Sequence, residues 1–268
     1  MNRTIPGILL ALGWLLLLML GSFQLFWGVM VVIGFLGSRE YCRMAFADYL
    51  YESDRVLLPL LIILPIVTAL FCRQSSTVVP AGLLFGFIGL ALYVLFPYQR
   101  FDAPLMVLAK GTLGLICIGF FASHLVLLRG LADGSFWLII LTAITAGSDT
   151  GAFYTGSRLG KRKLCPNISP NKTIEGAIGA VLVSLLIPFL LWFSFPHFEP
   201  WHLVLTGLIV GVGGQLGDLV ISFIKRDIGI KDMGNVIQGH GGILDRVDSM
   251  IFVAPIFFHV IRWIHGIR

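Results

Sequence analysis

The stretch Asp218–Ser249 reads DLVISFIKRDIGIKDMGNVIQGHGGILDRVDS, and apolar runs over 201–224 and 249–265 flank it. It holds five carboxylates (Asp218, Asp227, Asp232, Asp245, Asp248), four cations (Lys225, Arg226, Lys231, Arg246), one His and the Gly-rich run Gly239-His240-Gly241-Gly242. Charge of this density beside segments long enough to cross a bilayer is costly to keep, so a functional site is the default reading. Carboxylates point to Mg²⁺, and cations with Gly-rich backbone point to phosphate. The stretch thus predicts membrane-spanning helices on either side of a site that works on a phosphorylated substrate at a membrane surface.

The rest of the chain agrees. Its 268 residues are 57% hydrophobic and only 12% charged, with a mean hydropathy of +0.92. A soluble core of this size does not need so much apolar surface. The apolar runs are too long for barrel strands and lack their alternation. Residues 5–37 have the length of two spans with a break near Gly21–Ser22, the second running on as an amphipathic extension through Ser38–Tyr51. Further runs cover 56–73, 78–97, 104–128, 134–155, 175–195, 201–224 and 249–265. The expectation is an all-α polytopic membrane protein with about nine transmembrane helices, each needing roughly 20 apolar residues. Residues 1–130 would form the N-terminal helices and 131–268 the catalytic region, as one integral membrane unit. The first run reads as a retained span rather than a removed signal peptide.

Orientation follows from Lys and Arg in short loops. The segment 156–174 carries Arg158, Lys161, Arg162, Lys163 and Lys172, and 225–248 carries the four cations above, whereas 196–200 carries none. Both charged loops, and with them the active site in the C-terminal half, are expected on the cytoplasmic side. Counting back, so are the N-terminus, Arg39, Arg43, Arg55 and Arg100, which leaves the C-terminus outside.

Several polar residues have structural readings. Cys42, Cys72, Cys117 and Cys165 form no C-x-x-C pair and read as small apolar side chains. His124, His197, His202, His259 and His265 have no partners at metal-ligand spacing. Gly207, Gly211, Gly213 and Gly217 give two overlapping G-x-x-x-G spacings, which usually mean close helix packing. Lys110 reads as a cation snorkelling to the interface, with a headgroup contact as the alternative. The net charge of +5 is modest and confined to a few loops, which suits membrane orientation and anionic substrates and not nucleic acid.

On a helix, Asp218, Ser222 and Lys225 share a face at i, i+4, i+7, and Asp245, Asp248 and Ser249 share another at i, i+3, i+4. Asp218 lies within an apolar run and needs a cation, a metal or a water-filled cavity. Asp218 and Asp245 bracket the Gly-rich loop and are candidates to converge on one metal. A second polar segment precedes this one: Ser148-Asp149-Thr150-Gly151-Ala152-Phe153 interrupts an apolar run, and Ser169-Pro170-Asn171-Lys172-Thr173-Ile174-Glu175-Gly176 opens the next. Pro170 ahead of a helical run, with Lys172 and Thr173 at its start, suggests an anion site at a helix N-terminus, although helix capping explains Thr173 and Glu175 equally well. A P-loop is absent.

Together these segments resemble the phosphatidate cytidylyltransferase (CDP-diacylglycerol synthase) family. Its signature runs S-x-x-K-R-x-x-x-x-K-D, a short spacer, then H-G-G-x-x-D-R-x-D. Ser222, Lys225, Arg226, Lys231, Asp232, His240, Gly241, Gly242, Asp245, Arg246 and Asp248 stand in that register. One departure is Gln238, where the family usually has Pro or Gly two residues before the His. Asp149-x-Gly151-Ala152-Phe153 resembles the family's D-x-G-A-Y, SPNKTIEG resembles SP-x-KT-x-EG, and Arg39-Glu40-Tyr41 resembles a weaker feature. The resemblance is sharp over residues 148–250.

The resemblance implies a Mg²⁺-dependent reaction of CTP with phosphatidate, a membrane lipid, giving CDP-diacylglycerol and pyrophosphate. A second cation and a homodimer stay open. Asp218 and Asp245 would carry the metal. Lys225, Arg226, Lys231 and Arg246 would bind CTP phosphates or the lipid phosphate, and Asp232 and Asp248 would orient those cations or extend the metal shell. His240 would donate to a phosphate or hold the loop. Asp149, Lys172 and Thr173 would form a second wall, with Ser222, Gly241 and Gly242 also at the substrate. No protein nucleophile is needed, because the lipid phosphate is one, and no Ser-His-Asp or Cys-His arrangement is evident. The alternatives are a related CTP-dependent enzyme (a CDP-archaeol synthase or a polyprenol or phytol kinase) and, more distantly, an ion-coupled transporter using Asp218 and Asp149. A bacterial inner membrane is the expected location.

Overall fold

The computed structural model describes residues 4–46, 54–72, 77–191, 199–227, 242 and 244–264, with the side chains of 4–6, 245 and 246 outside the described set. The fold is all-α and polytopic, as expected. Its helices are α1 (Thr4–Leu20), α2 (Phe23–Ala45), α3 (Asp54–Ile62), α4 (Leu64–Thr68), α5 (Val78–Leu95), α6 (Pro104–Gly114), α7 (Phe121–Gly130), α8 (Gly134–Leu159), α9 (Ile174–Leu190), α10 (Pro200–Asp227) and α11 (Leu244–Ile264). The two strands, β1 (Lys163–Cys165) and β2 (Ser169–Thr173), pair as an antiparallel hairpin.

Within the described residues, each apolar run read from the sequence is mainly helical, and the difference lies in length. Six helical segments among the described residues are long and apolar enough to cross a bilayer: Phe23–Ala45, Val78–Leu95, Pro104–Gly130, Gly134–Leu159, Pro200–Asp227 and Val247–Ile264. Asp54–Ile62 and Leu64–Phe71 make a seventh only as a pair bent by 51°. Pro65 explains the bend, since it lacks an N–H and its ring opposes a continuous helix. Trp27 Nε1–H satisfies the Ile66 carbonyl just beyond it at 3.0 Å. α1 and α9 are shorter: the 17 residues of α9 rise only about 26 Å, against a hydrocarbon core of about 30 Å. Large apolar side chains such as Leu16, Leu84, Leu182 and Val212 stand exposed on the helices, which suits lipid as the solvent.

The chain divides into two compact units, residues 1–135 with 232–246, and residues 136–231 with 247–268. In the first, Ser22 caps α2 by accepting the Leu25 N–H at 3.1 Å, which places the helix break at the expected Gly21–Ser22. α2 continues to Ala45 and buries Phe26, Met30, Gly34, Gly37 and Tyr41 along one stripe. Lys110 Nζ donates to the Ala45 carbonyl at the end of α2 at 2.9 Å, so it caps a helix within the protein rather than simply snorkelling. A six-residue π-helical stretch, Leu115–Phe120, joins α6 to α7. Gly119 lies there, where a Cβ would fall 1.9 Å from the Ile62 carbonyl oxygen. Asp54, at the start of α3, is buried and ion-paired with Arg100. His124 is buried, with Nδ1 2.8 Å from the Phe120 carbonyl.

In the second unit the G-x-x-x-G spacings serve two neighbours. A Cβ at Gly207 would lie 2.5 Å from the Ser184 carbonyl of α9, and one at Gly211 would lie 2.0 Å from Ser184 Oγ. A Cβ at Gly217 would instead lie 2.5 Å from Phe252 Cβ of α11. One glycine face of α10 therefore packs on α9 and another on α11, which fixes the rotation of the helix that carries Asp218.

Candidate active site

The segment 156–174 was expected as a loop leading into a helix; instead α8 continues to Leu159 and residues 163–173 form the β1–β2 hairpin. Lys163 pairs with Thr173 and Cys165 with Ser169. The chain reverses over Cys165-Pro166-Asn167-Ile168, where the Ile168 N–H reaches the Cys165 carbonyl at 3.2 Å. Pro followed by Asn is favourable turn chemistry, and that dipeptide was the signal for the hairpin. Two further contacts hold it. The Glu175 carboxylate accepts the backbone N–H groups of Lys161 and Arg162 at 3.1 and 3.2 Å. Arg226 Nε, in the last turn of α10, donates to the Ile168 carbonyl at 3.2 Å.

The hairpin delivers Lys172 to Asp218. Lys172 Nζ lies 2.7 Å from Asp218 Oδ2, the two side chains being 17% and 34% exposed. The same ammonium is 3.5 Å from the Gln215 carbonyl oxygen. Ser222 Oγ, one turn on from Asp218 along α10, is 3.5 Å from Asp218 Oδ1. Asp149 of α8 is near enough for the charges of both Asp218 and Lys172 to act on it. Asp149 is ten residues before the end of α8 and Asp218 nine before the end of α10, so each stands about 14–15 Å inside its helix. Asp218, within an apolar helix, thus gains a cation supplied from a hairpin, and the same cation acts on Asp149 through its charge. This is how a membrane helix keeps an acidic group.

Of the residues singled out in the sequence, the structure brings Asp149, Lys172, Asp218 and Ser222 together. Thr173 is the N-cap of α9: its Oγ1 accepts the Gly176 N–H at 3.1 Å, and the residue is buried. The capping alternative therefore holds for Thr173. Lys172 lies in β2, one residue before that cap, with its ammonium on Asp218. Lys225 and Arg226 lie in the last turn of α10. Asp248 Oδ1 accepts the Ser249 N–H at 2.7 Å in the first turns of α11, and Gly242 is buried. Lys231, Asp232, His240 and Gly241 lie outside the described residues, as do the side chains of Asp245 and Arg246.

Among the described residues, no three His, Cys, Asp or Glu side chains gather as a protein cage for a metal. The donors around Asp218 still suit a hard cation. They are the carboxylates of Asp149 and Asp218 with the nearby Gln215 carbonyl, all oxygen. Mg²⁺ in nucleotide sites takes one or two carboxylates and completes its shell with water and phosphate, so a full cage is not required.

The chain is similar to several known proteins over part of its length. A 168-residue stretch is 40% identical to the phosphatidate cytidylyltransferase of Staphylococcus haemolyticus, covering 61% of this chain and 62% of that protein. A 126-residue stretch is 47% identical to the phosphatidate cytidylyltransferase of Staphylococcus aureus strain COL, covering 47% of this chain and 48% of the relative. A 133-residue stretch is 40% identical to the uncharacterized protein YnbB of Escherichia coli K12, covering 50% and 45%. The chain thus spans 45% to 62% of the length of these relatives. Residues 1–264 match the sequence profile of the cytidylyltransferase family, and with nearly the whole chain covered, the protein belongs to that family.

Proposed function

We propose that the protein is a Mg²⁺-dependent phosphatidate cytidylyltransferase that transfers CMP from CTP to phosphatidate. The observation that carries this reading is the Lys172–Asp218 ion pair with Asp149 under the charge of both, which joins the two sequence segments that carry the resemblance. The names of the staphylococcal relatives support the same reading.

In the proposed reaction an oxygen of the lipid phosphate attacks the α-phosphorus of CTP. A new phosphoanhydride bond forms, the bond between the α- and β-phosphates breaks, and pyrophosphate leaves. Two anions have to meet, so the site must offset their repulsion and hold them in line. Mg²⁺ would be held by Asp218 with Asp245, and it supplies charge neutralisation on the phosphates. Asp149 adds negative charge beside Asp218. Lys225, Arg226, Lys231 and Arg246 receive the phosphates, with Lys172 as a further cation. Asp232 and Asp248 orient these cations. His240 would donate to a phosphate or hold its loop, with Gly241 and Gly242 also at the substrate. The site faces the cytoplasm, where CTP is found, in a bacterial inner membrane.

The test is an assay on detergent-purified protein in which each nucleoside triphosphate is offered with phosphatidate and Mg²⁺, beside an EDTA control. Metal-dependent transfer of CMP to lipid, with one pyrophosphate per product, is expected. CTP consumption only with an archaeal lipid or a polyprenol would change the acceptor. No turnover with any acceptor in folded protein would refute the reading.

A further inference from the structure

Glu40 is a buried carboxylate, 4% exposed, on the inward stripe of α2. Its Oε2 lies 3.5 Å from the N–H of Leu244, 204 residues away in sequence. Leu244 is the first residue of α11, so this N–H is one that the helix itself cannot satisfy. At 3.5 Å the hydrogen bond is long, and much of its value is the favourable placement of negative charge at a helix N-terminus. Gly37, three residues earlier on α2, makes the approach possible: a Cβ there would lie 3.0 Å from Leu244 Cδ2. The end of α2 is held in turn, because Tyr41 Oη donates to the Lys110 carbonyl at 2.8 Å and Lys110 Nζ donates to the Ala45 carbonyl at 2.9 Å.

We infer that Glu40 is a positioning residue for the reaction: it fixes the first turn of α11, and with it the backbone of Asp245, the residue next to Leu244. The inference rests on the cytidylyltransferase reading, in which Asp245 holds Mg²⁺. A carboxylate acting only as mortar could satisfy any helix end. This one sits on the residue adjoining the proposed ligand and comes from the segment Arg39-Glu40-Tyr41, which the proposed chemistry leaves without a role.

The test compares full-length wild type with Glu40→Ala, Glu40→Gln and Gly37→Ala, by hydrogen exchange at the amides of 244–248 and by the Mg²⁺ concentration giving half-maximal rate. In Glu40→Ala both should move by about tenfold, the size expected for losing one helix cap, with faster exchange and a higher metal requirement. Glu40→Gln, whose amide oxygen still accepts, should restore most of both. If Glu40→Ala does not accumulate as folded protein, Gly37→Ala decides, since it disturbs the same contact from the other side and should shift both readouts in the same direction. Faster exchange with an unchanged Mg²⁺ requirement would reduce Glu40 to a structural cap and overturn the inference, as would no change in either. Exchange reads the contact without turnover, so a wild type inactive on CTP and phosphatidate would sink the functional reading separately from this one.

Discussion

Replacing Lys172 by Met should make the enzyme slower and, at the same time, less demanding of Mg²⁺. Lys172 Nζ lies 2.7 Å from Asp218 Oδ2, the carboxylate that the proposed metal must use. Two unit charges about 4 Å apart interact by roughly 4 kcal/mol at an effective dielectric constant near 20. Asp218 is 34% exposed, and solvent screening with desolvation leaves a net of about 1–2 kcal/mol. That energy opposes any cation arriving at Asp218. Its removal should lower the Mg²⁺ needed for half-maximal rate by about tenfold, since each 1.4 kcal/mol is a factor of ten. The same substitution takes away a fixed positive charge from the phosphates, and kcat should fall about 10²-fold. Initial rates against Mg²⁺ in mixed micelles measure both effects, and Mn²⁺ binding without substrate gives the affinity independently. Lys172→Arg should keep the pairing and recover much of kcat. A Mg²⁺ requirement that rises or stays fixed in Lys172→Met, in folded protein, would refute the idea that Lys172 and the metal compete for Asp218.

Other perturbations separate chemistry from architecture. Asp245→Asn should abolish transfer while the protein still inserts and purifies normally; near-native turnover would remove Asp245 from the metal site. Glu175→Ala should loosen the hairpin, and with it the hold of Lys172 on Asp218, seen as faster tryptic cleavage at Lys161, Arg162 and Lys163. Asp54→Ala removes a carboxylate from the partly exposed Arg100 guanidinium and should cost about 1–3 kcal/mol, the range for losing a hydrogen-bond partner to a charged group. A thermal shift of less than a degree or two would show that the pair contributes little.

The apolar runs were legible because lipid imposes a simple rule, about 20 apolar residues per crossing. The break at Gly21–Ser22 was legible too, because Gly and a capping Ser mark a helix boundary. The pairing of the glycines of α10 with two different helices was not, since the 207/211 and 213/217 spacings look alike until the neighbours Ser184 and Phe252 are known. In the site, Asp218 and Ser222 could be placed on one face from spacing alone. The partner of Asp218 could not, because Lys172 is supplied by a hairpin whose formation depends on tertiary anchors: Glu175 on Lys161 and Arg162, and Arg226 on Ile168. From one local pattern Thr173 could be a helix cap or part of an anion site, and the Gly176 contact shows the cap.

The charge balance of the cluster makes one more result predictable. With both carboxylates ionised, Asp149 and Asp218 with Lys172 sum to a net −1 before any metal binds. At about 5 Å and an effective dielectric constant near 20, one uncompensated charge repels a phosphate by roughly 3 kcal/mol. Binding Mg²⁺ changes the sum to +1, and the repulsion becomes attraction of similar size. The lipid phosphate should therefore bind well only after the metal, and calorimetry with a short-chain phosphatidate should show at least tenfold weaker binding in EDTA than in Mg²⁺. Asp218→Asn should reverse the EDTA result. With one carboxylate gone the cluster sums to zero without metal, so phosphatidate should bind the variant more tightly in EDTA than it binds the wild type, even though the variant cannot turn it over. Equal binding of phosphatidate to wild type with and without Mg²⁺ would mean that the headgroup is held by Lys225, Arg226 and their neighbours alone, and that Asp149, Lys172 and Asp218 do not face it.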